Sequence, residues 1–354
     1  MPLVSVVIPT YNRAYCIASA VDSVLSQSLS QVEVIVVDDG SSDGTEALIA
    51  TRYAHDTRVL YHKQRNAGVA AARNSGILLA QGDFVGLLDS DDAYLPWKLE
   101  LQVAAMRRHP EIGMVWSDMC AVSPEGTVTH PRYLRTMYSN YRKFTNESLF
   151  SGSESLSDAA PQLAKHVGEE RLWTGDIFTP MIMGNLVHTS TVLLRRARLM
   201  KVGGFRPDLR HTGEDYDFHL RTCREGPVGL VDVVTVRYRL GAADQLTRPD
   251  LNTHMAKNFL RTIEPMIASE REHIRLSSRA LEGVRASANA WVGESLLDDG
   301  DAEAARPYLW RSLHHRMAQP RTLALFALST LGNGLAPRVR DALRGVARFG
   351  RTKQ

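Results

Sequence analysis

The sequence predicts an α/β protein with a mixed, mainly parallel sheet flanked by helices, followed by a helical C-terminal extension. In the first third of the chain, short β-branched runs alternate with helical patterns, and polar turns follow the ends of three of those runs. From about residue 252 onward the pattern is wholly helical. At 354 residues the chain exceeds what one hydrophobic core usually supports. We therefore predict one domain over 1–250 and a helical region over 251–354.

The elements of the first domain follow in order. Strands are predicted over 4–8, 33–37, 59–62 and 84–88, and a further strand starts at 114–116. Helices are predicted over 14–27, from residue 45, and over 69–80, where Gly82 ends the third. Ligands bind beyond the carboxyl ends of the strands in open sheets of this kind. The turns 10–12, 38–39 and 89–92 should therefore meet at one edge, which we call the polar rim.

The later segments are less regular. Residues 124–180 mix glycine, serine and proline with aromatic and basic residues and suggest a substrate-facing insertion or loop. A helix over 214–224 and a strand over 228–236 follow a Gly203-Gly204 turn. Small and apolar residues over 286–313, interrupted at 298–301, predict an antiparallel helix pair similar to one tetratricopeptide unit. Such a unit cannot bury its own apolar face, so it should pack on the first domain or on a partner, including a second copy.

Composition excludes several classes of protein. The hydrophobic fraction of 44% and charged fraction of 23% exclude disordered, collagen-like and disulfide-scaffold proteins. A net charge of +3 gives no indication of nucleic-acid binding. Three scattered cysteines and a start without signal-peptide features favour a cytoplasmic protein. The apolar stretch 323–331 is too short to span a bilayer, and the basic tail 336–354 either contacts an anionic membrane surface or is a solvated end.

The acidic run Asp89-Ser90-Asp91-Asp92 is the strongest chemical signal. Three carboxylates at the end of an apolar strand repel one another, and a divalent cation would neutralise them. Oxygen ligands of this kind suit Mg²⁺ or Mn²⁺, which can bridge a diphosphate. The alternative is a helix N-terminus, for which one acid would suffice.

Other clusters could complete a site. Asp38-Asp39 either binds a nucleotide or forms a solvated turn, and no Gly-x-Gly-x-x-Gly or phosphate-loop motif is present. Glu214 and Asp215 open a helix, where acids are favourable, but Asp215 could also act as a general base. Arg73, on a helix of small residues, needs either a protein carboxylate or a ligand phosphate. The histidines, among them His188, His211 and His219, have no metal-binding spacing and are interpreted as structural.

Several segments together resemble family 2 glycosyltransferases with the GT-A fold. They are 4–12, 36–45, 66–68 with 72–76, and 88–92, in order and correctly spaced, and 213–217 resembles the Glu-Asp motif of the family. The resemblance covers roughly residues 3–240. It implies an inverting transfer of a sugar from a nucleotide-diphosphate sugar, with a UDP-sugar expected, to an acceptor hydroxyl in glycan, cell-envelope polysaccharide or glycoconjugate synthesis. The acceptor would be a carbohydrate, a lipid-linked molecule or another hydroxyl compound.

The resemblance also implies a role for each matching residue. Asp91 would bind Mn²⁺ or Mg²⁺, and Asp215 would deprotonate the acceptor. Asp92 and Glu214 would support them. The donor would lie against Pro9, Thr10, Tyr11, Asp39, Arg73 and Asp89.

One position departs from the family pattern. Gly241 stands where similar members often carry a histidine, so Arg239, Asp244 or Gln245 would close over the donor. Two alternatives remain open at the level of sequence. They are a nucleotidyltransferase, and a non-catalytic scaffold with a vestigial donor site.

Overall fold

The computed structural model describes residues 1–241, 249–336 and 340. The chain divides into two compact units, one of residues 1–210 and 214–245, the other of residues 211–213 and 246–354. Asp244, Gln245 and most of the basic tail lie outside the described residues.

The first unit is built on one mixed sheet of eleven strands. The strands are β1 Val4–Thr10, β2 Val32–Asp38, β3 Val59–Lys63, β4 Phe84–Leu87, β5 Ala93–Tyr94, β6 Met114–Val122, β7 Val128–His130, β8 Gly152–Ser155, β9 Arg171–Gly175, β10 Leu193–Arg195 and β11 Val228–Arg239. The order is β3-β2-β1-β4-β10-β6-β11-β9-β8, with β5 beside β11 and β7 beside β6. Strands β3, β2, β1 and β4 pair parallel to one another, and β10 enters antiparallel between β4 and β6. The prediction of an α/β fold with a mixed sheet flanked by helices is confirmed.

Eleven α-helices are described in this unit. They are α1 Ile17–Leu25, α2 Thr45–Arg52, α3 Val69–Leu79, α4 Lys98–Arg108, α5 Leu134–Met137, α6 Asn146–Leu149, α7 Leu156–Ala159, α8 Ala164–Val167, α9 Phe178–Ile182, α10 Arg196–Val202 and α11 Glu214–Arg224. Gly76 shows why α3 is rich in small residues. A Cβ at this position would lie 2.3 Å from Val7 Cγ1 and 3.1 Å from Val37 Cγ2. The helix therefore packs directly on β1 and β2, and this fixes the segments that precede and follow it.

The expectation of a loop over residues 124–180 is wrong. This segment contributes β7, β8 and β9 to the sheet and carries five short helices. Strand β9 pairs antiparallel with both β11 and β8. Apolar residues throughout the segment 124–180 are buried, among them Leu156, Leu163 and Leu172. Segments this short have no detectable hydrophobic period, and partner strands and the core stabilise them instead.

The second unit is helical, as predicted. Its helices are α12 Asn252–Ser269, α13 Ser278–Asp298, α14 Ala302–His315 and α15 Pro320–Ser329. Helices α13 and α14 form the predicted pair, and a Cβ at Gly293 would lie 2.6 Å from Leu309 Cγ, which shows how closely they pack. Arg340, the one tail residue described beyond Ala336, is buried and pairs with Asp298 at 2.8 Å. No helix within the described ranges is long and apolar enough to cross a membrane.

Candidate active site

The three turns of the polar rim are joined by hydrogen bonds. Asp39 N donates to Thr10 O at 2.8 Å, and the backbone N–H of Ser42 donates to Asn12 Oδ1 at 2.8 Å. Asn12 adopts a left-handed conformation (φ 52°), which asparagine tolerates well. Arg13, the next residue, reaches the third turn and donates to Asp91 Oδ2 at 3.0 Å. The rim predicted from the strand ends is therefore present.

Asp39 is buried and organises the loop before α3. Its Oδ1 accepts from Gln64 Nε2 at 2.8 Å and Ala67 N at 2.9 Å, and its Oδ2 accepts from Gly68 N at 2.8 Å. Asp38 is also buried and accepts from Ser41 N at 2.6 Å. These acids do not form a solvated turn. Two carboxylate oxygens offer about four acceptor positions, so Asp39 keeps one for a ligand.

The side chains at the end of β1 differ in exposure. Tyr11 is 50% exposed, which is unusual for a large aromatic ring beside a rim of polar turns. Thr10 is buried, and its Oγ1 has no hydrogen-bond partner among the described residues. Buried polar atoms are nearly always hydrogen-bonded, so this hydroxyl is free to receive a ligand group.

The three carboxylates of the acidic run have three different environments. Asp89 Oδ1 accepts from Arg73 Nη2 at 2.8 Å, and Asp91 pairs with Arg13. Asp92 accepts from Ser190 Oγ at 2.6 Å and from Arg239 N at 3.1 Å. Within the part of the chain that the structure describes, no cationic side chain lies within ion-pair distance of Asp92. The run therefore carries more negative charge than its protein partners neutralise.

The pKa values of these acids reflect that imbalance. Burial raises the pKa of Asp89, but the charge and hydrogen bond of Arg73, together with His188 and Arg13, outweigh burial and hold this pKa below its usual value. Burial and the charge of Asp89 raise the pKa of Asp91, and Arg13 opposes them only in part. Burial and both neighbouring carboxylates raise the pKa of Asp92 well above its usual value. An added cation would favour the ionised form of all three.

His188 lies beside this run, which sequence reasoning did not anticipate. One ligand atom each of Asp89, Asp92 and His188 lies within 4.8 Å of the other two. Burial lowers the pKa of His188 to about 4, so the ring is neutral near pH 7, the form in which histidine binds metals. An imidazole with two carboxylates fits a transition-metal dication such as Mn²⁺. Asp91, to which the family resemblance assigns the metal, accepts from Arg13 in this structure, and its role as a ligand stays a prediction.

Helix α11 begins with the two acids of the Glu-Asp motif. Glu214 Oε1 accepts from Arg73 Nη1 at 2.7 Å, and Asp215 Oδ1 accepts from Tyr216 N at 2.7 Å. Burial and the charge of Glu214 raise the pKa of Asp215 to about 7, which is suitable for a general base near neutral pH. Arg73 is buried and bonds both Asp89 and Glu214, so protein carboxylates are its partners here.

Comparison with known proteins identifies the family. The model of glycosyl transferase family 2 matches residues 5–159. An uncharacterized glycosyltransferase of Rickettsia prowazekii (strain Madrid E) is 30% identical over 251 residues, 71% of this chain and 68% of that protein. This chain belongs to glycosyl transferase family 2.

Two further comparisons show how much of this chain and of its relatives the similarity covers. Chondroitin synthase of Escherichia coli is 34% identical over 45% of this chain, which spans only 25% of that protein. A crystal structure of S. aureus TarS 1-349 in complex with UDP-GlcNAc superposes with a TM-score of 0.56 over 93% of this chain and 90% of that one, at 17% identity. This family 2 chain therefore has the GT-A fold.

Position alone could have indicated one of the two residues that sequence reasoning missed. Arg13 directly follows the first turn of the rim, so a contact with another turn was predictable. His188 precedes the short strand β10, and only the insertion of β10 beside β4 brings it to the acidic run. Ser190 joins the two segments, because its hydroxyl donates to Asp92 and accepts from Asp89 N at 3.2 Å. The imidazole of this candidate cluster thus comes from a segment well before Gly241.

Proposed function

We propose that this family 2 chain transfers a sugar from a nucleoside-diphosphate sugar to an acceptor hydroxyl by single displacement with inversion. The observation that carries the proposal is the contact between the Glu-Asp motif and the acidic run, because Arg73 donates to Glu214 Oε1 at 2.7 Å and to Asp89 Oδ1 at 2.8 Å. Burial and the charge of Glu214 also raise the pKa of Asp215, the second acid of the motif, to about 7. A carboxylate poised near neutral pH can take the acceptor proton as the hydroxyl attacks. The C1–O bond to the acceptor forms, and the C1–O bond to the diphosphate breaks.

The donor would lie along the polar rim. Tyr11 offers an exposed ring face, Thr10 offers an unpartnered hydroxyl, and Asp39 retains one acceptor position. These groups suit a nucleoside, and Pro9 lies in the same buried strand end. The TarS crystal contains UDP-GlcNAc, which favours a UDP-sugar as the donor of this chain.

Arg73 contributes to this arrangement indirectly. Its guanidinium holds Asp89 on the donor side and Glu214 on the base side, so it fixes the two halves of the site relative to each other. A fixed geometry of this kind reduces the reorganisation that the reaction requires.

A divalent cation fits the acids at the rim. Asp89, Asp92 and His188 would hold it, and the sequence motif adds Asp91 as a ligand when Arg13 releases it. Mn²⁺ or Mg²⁺ at this position would neutralise the charge that develops on the leaving diphosphate. Ser190 and Arg239 N orient Asp92 from behind, as outer hydrogen bonds commonly do for ligating carboxylates.

The test measures UDP release from a panel of UDP-sugars with the full chain, with Mn²⁺, Mg²⁺ or EDTA. We expect metal-stimulated release and thermal stabilisation by UDP with Mn²⁺. Asp91→Ala should abolish turnover while the fold is retained, and exposed Asp83→Asn is the matched control. Unchanged turnover in Asp91→Ala, or no stabilisation by any nucleoside diphosphate, would refute the proposal and favour a scaffold. Formation of UTP and sugar 1-phosphate when pyrophosphate is added to the UDP-sugar, without release of UDP, would indicate a nucleotidyltransferase.

A further inference from the structure

Five aromatic rings form a continuous row that leads away from the candidate active site. His188 and Tyr138 are at the site end, with ring centroids 6.4 Å apart. Tyr238 follows at 5.0 Å from His188, Tyr133 stacks on Tyr238 at 5.9 Å, and His130 follows at 5.1 Å from Tyr133. We call these five residues the aromatic row. It runs from Tyr138, which lies beside the candidate metal ligand His188, to His130, an exposed side chain on β7.

The two rings in the middle of the row are buried, and the rings on either side of them are accessible. His188 and Tyr238 are 7% and 6% exposed, Tyr133 and Tyr138 are half-buried, and His130 is exposed. The buried rings therefore support the accessible ones from behind. Aromatic rings in the core need no such gradient, and a partly exposed row beside an active site offers ring faces to a ligand.

The hydroxyl groups of Tyr133 and Tyr138 differ in their hydrogen bonding from those of three buried tyrosines outside the row. Tyr94, Tyr141 and Tyr216 each donate to a backbone carbonyl, at 2.7, 2.8 and 2.7 Å. By contrast, the hydroxyls of Tyr133 and Tyr138 have no hydrogen-bond partner among the residues that the structure describes. A partly buried tyrosine usually finds a partner for its hydroxyl. These two hydroxyls are available for polar groups of a ligand.

Tyr138 is the ring of the row at the candidate active site. Its centroid lies 6.4 Å from that of His188, one of the three residues of the candidate metal cluster. A ligand ring against Tyr138 would therefore lie beside the cluster that would hold the donor diphosphate.

The outer part of the row is held rigidly. Tyr133 N donates to Met119 O at 2.7 Å. On either side of it, Arg132 Nε donates to Asp118 Oδ2 at 2.7 Å and Leu134 N donates to Asp118 Oδ1 at 3.1 Å. Asp118 is itself buried. A surface fixed in this way loses little conformational entropy when it binds a ligand.

We propose that the aromatic row is the acceptor platform and that the acceptor is a glycan of at least two pyranose rings, an inference that rests on the proposed function. The C–H face of a pyranose packs on an aromatic ring while its hydroxyls bond polar groups at the ring edge. Tyr138 would take the ring that carries the attacking hydroxyl, and Tyr133 the next ring. A lipid tail would not use the two free hydroxyls, and a small alcohol would not reach Tyr133.

The test measures binding of cellotetraose, chitotetraose, glucose and N-acetylglucosamine to the full chain with UDP and Mn²⁺ by saturation-transfer NMR and calorimetry. We expect at least one tetrasaccharide to bind about fivefold or more tighter than its monosaccharide. Tyr133→Ala and Tyr133→Leu should remove most of that difference, about five- to tenfold, whereas Tyr133→Phe should keep more of it. The leucine variant retains apolar packing, so it separates loss of the ring from loss of folding.

Trp310→Ala, which removes a 59% exposed ring on α14, is the control and should not change saccharide affinity. Equal affinity for mono- and tetrasaccharides, no saccharide binding, or full affinity in Tyr133→Ala would overturn the acceptor proposal. Slow hydrolysis of UDP-sugar by water should persist in Trp310→Ala, because this ring lies outside the candidate active site. Failure of the proposed function is distinguishable, since the wild-type chain would then release no UDP at all.

Discussion

Replacement of Asp215 by asparagine should abolish transfer and stabilise the fold at high pH. The pKa of Asp215 is raised from 3.8 to about 7 by burial and by Glu214. The folded protein therefore binds more protons than the unfolded chain between these values, and it loses stability as the pH rises through them. One pKa unit corresponds to about 1.4 kcal/mol, so the ionised carboxylate costs the fold about 4 kcal/mol above pH 7 and about 1.5 kcal/mol at pH 5.

Asparagine has the same shape without the charge, so its stabilising effect should follow this pH dependence. The gain in unfolding free energy should be about 3 kcal/mol larger at pH 8 than at pH 5. Urea denaturation of wild type and Asp215→Asn at pH 5, 6, 7 and 8 measures it, with exposed Asp83→Asn as control. UDP release should fall about 10²- to 10⁴-fold, and wild-type kcat/KM should decrease tenfold per pH unit below about pH 7. A gain independent of pH, or destabilisation at pH 8, would refute the reasoning.

Three further variants test the metal cluster and the packing inside each of the two units. His188→Ala should weaken Mn²⁺ binding about tenfold or more in calorimetry with UDP, and equal affinity would exclude His188 as a ligand. Gly76→Ala should cost about 1–3 kcal/mol because the new methyl group collides with Val7, measured by urea denaturation; a stabilised variant would contradict this packing. Gly293→Ala should cost about 1 kcal/mol, because Leu309 must move; its unfolding midpoint in urea checks this, and a higher midpoint would be the contrary result.

The sheet was predictable where strands are long and central. The segment 4–10 is rich in β-branched residues and wholly buried, so its pattern predicts the strand directly. Strand β8, Gly152–Ser155, has no β-branched residue and forms only because it pairs with β9. Strand β10, Leu193–Arg195, is too short for any periodicity. Tertiary pairing creates these strands, and no local pattern carries that information.

The site was predictable where it follows from strand ends. Chain direction in a parallel sheet brings Thr10, Asp39 and Asp89 to one edge, whatever the side chains around them. His188 is different, because it reaches that edge through an antiparallel strand inserted beside β4. A single histidine without a spaced partner is ordinarily structural. Only the three-dimensional proximity of Asp89 and Asp92 distinguishes it.

The choice between Glu214 and Asp215 as the base shows what the sequence alone leaves open. Both acids stand at the start of the same helix, where either would be favourable. Adjacent helical residues point in different directions, and Arg73 bonds Glu214 and Asp89. No hydrogen bond joins Arg73 to Asp215 among the described residues. Burial and the negative charge of Glu214 raise the pKa of Asp215 to about 7, and Arg73 opposes them only in part. For this reason we propose Asp215 as the group that accepts a proton near neutral pH.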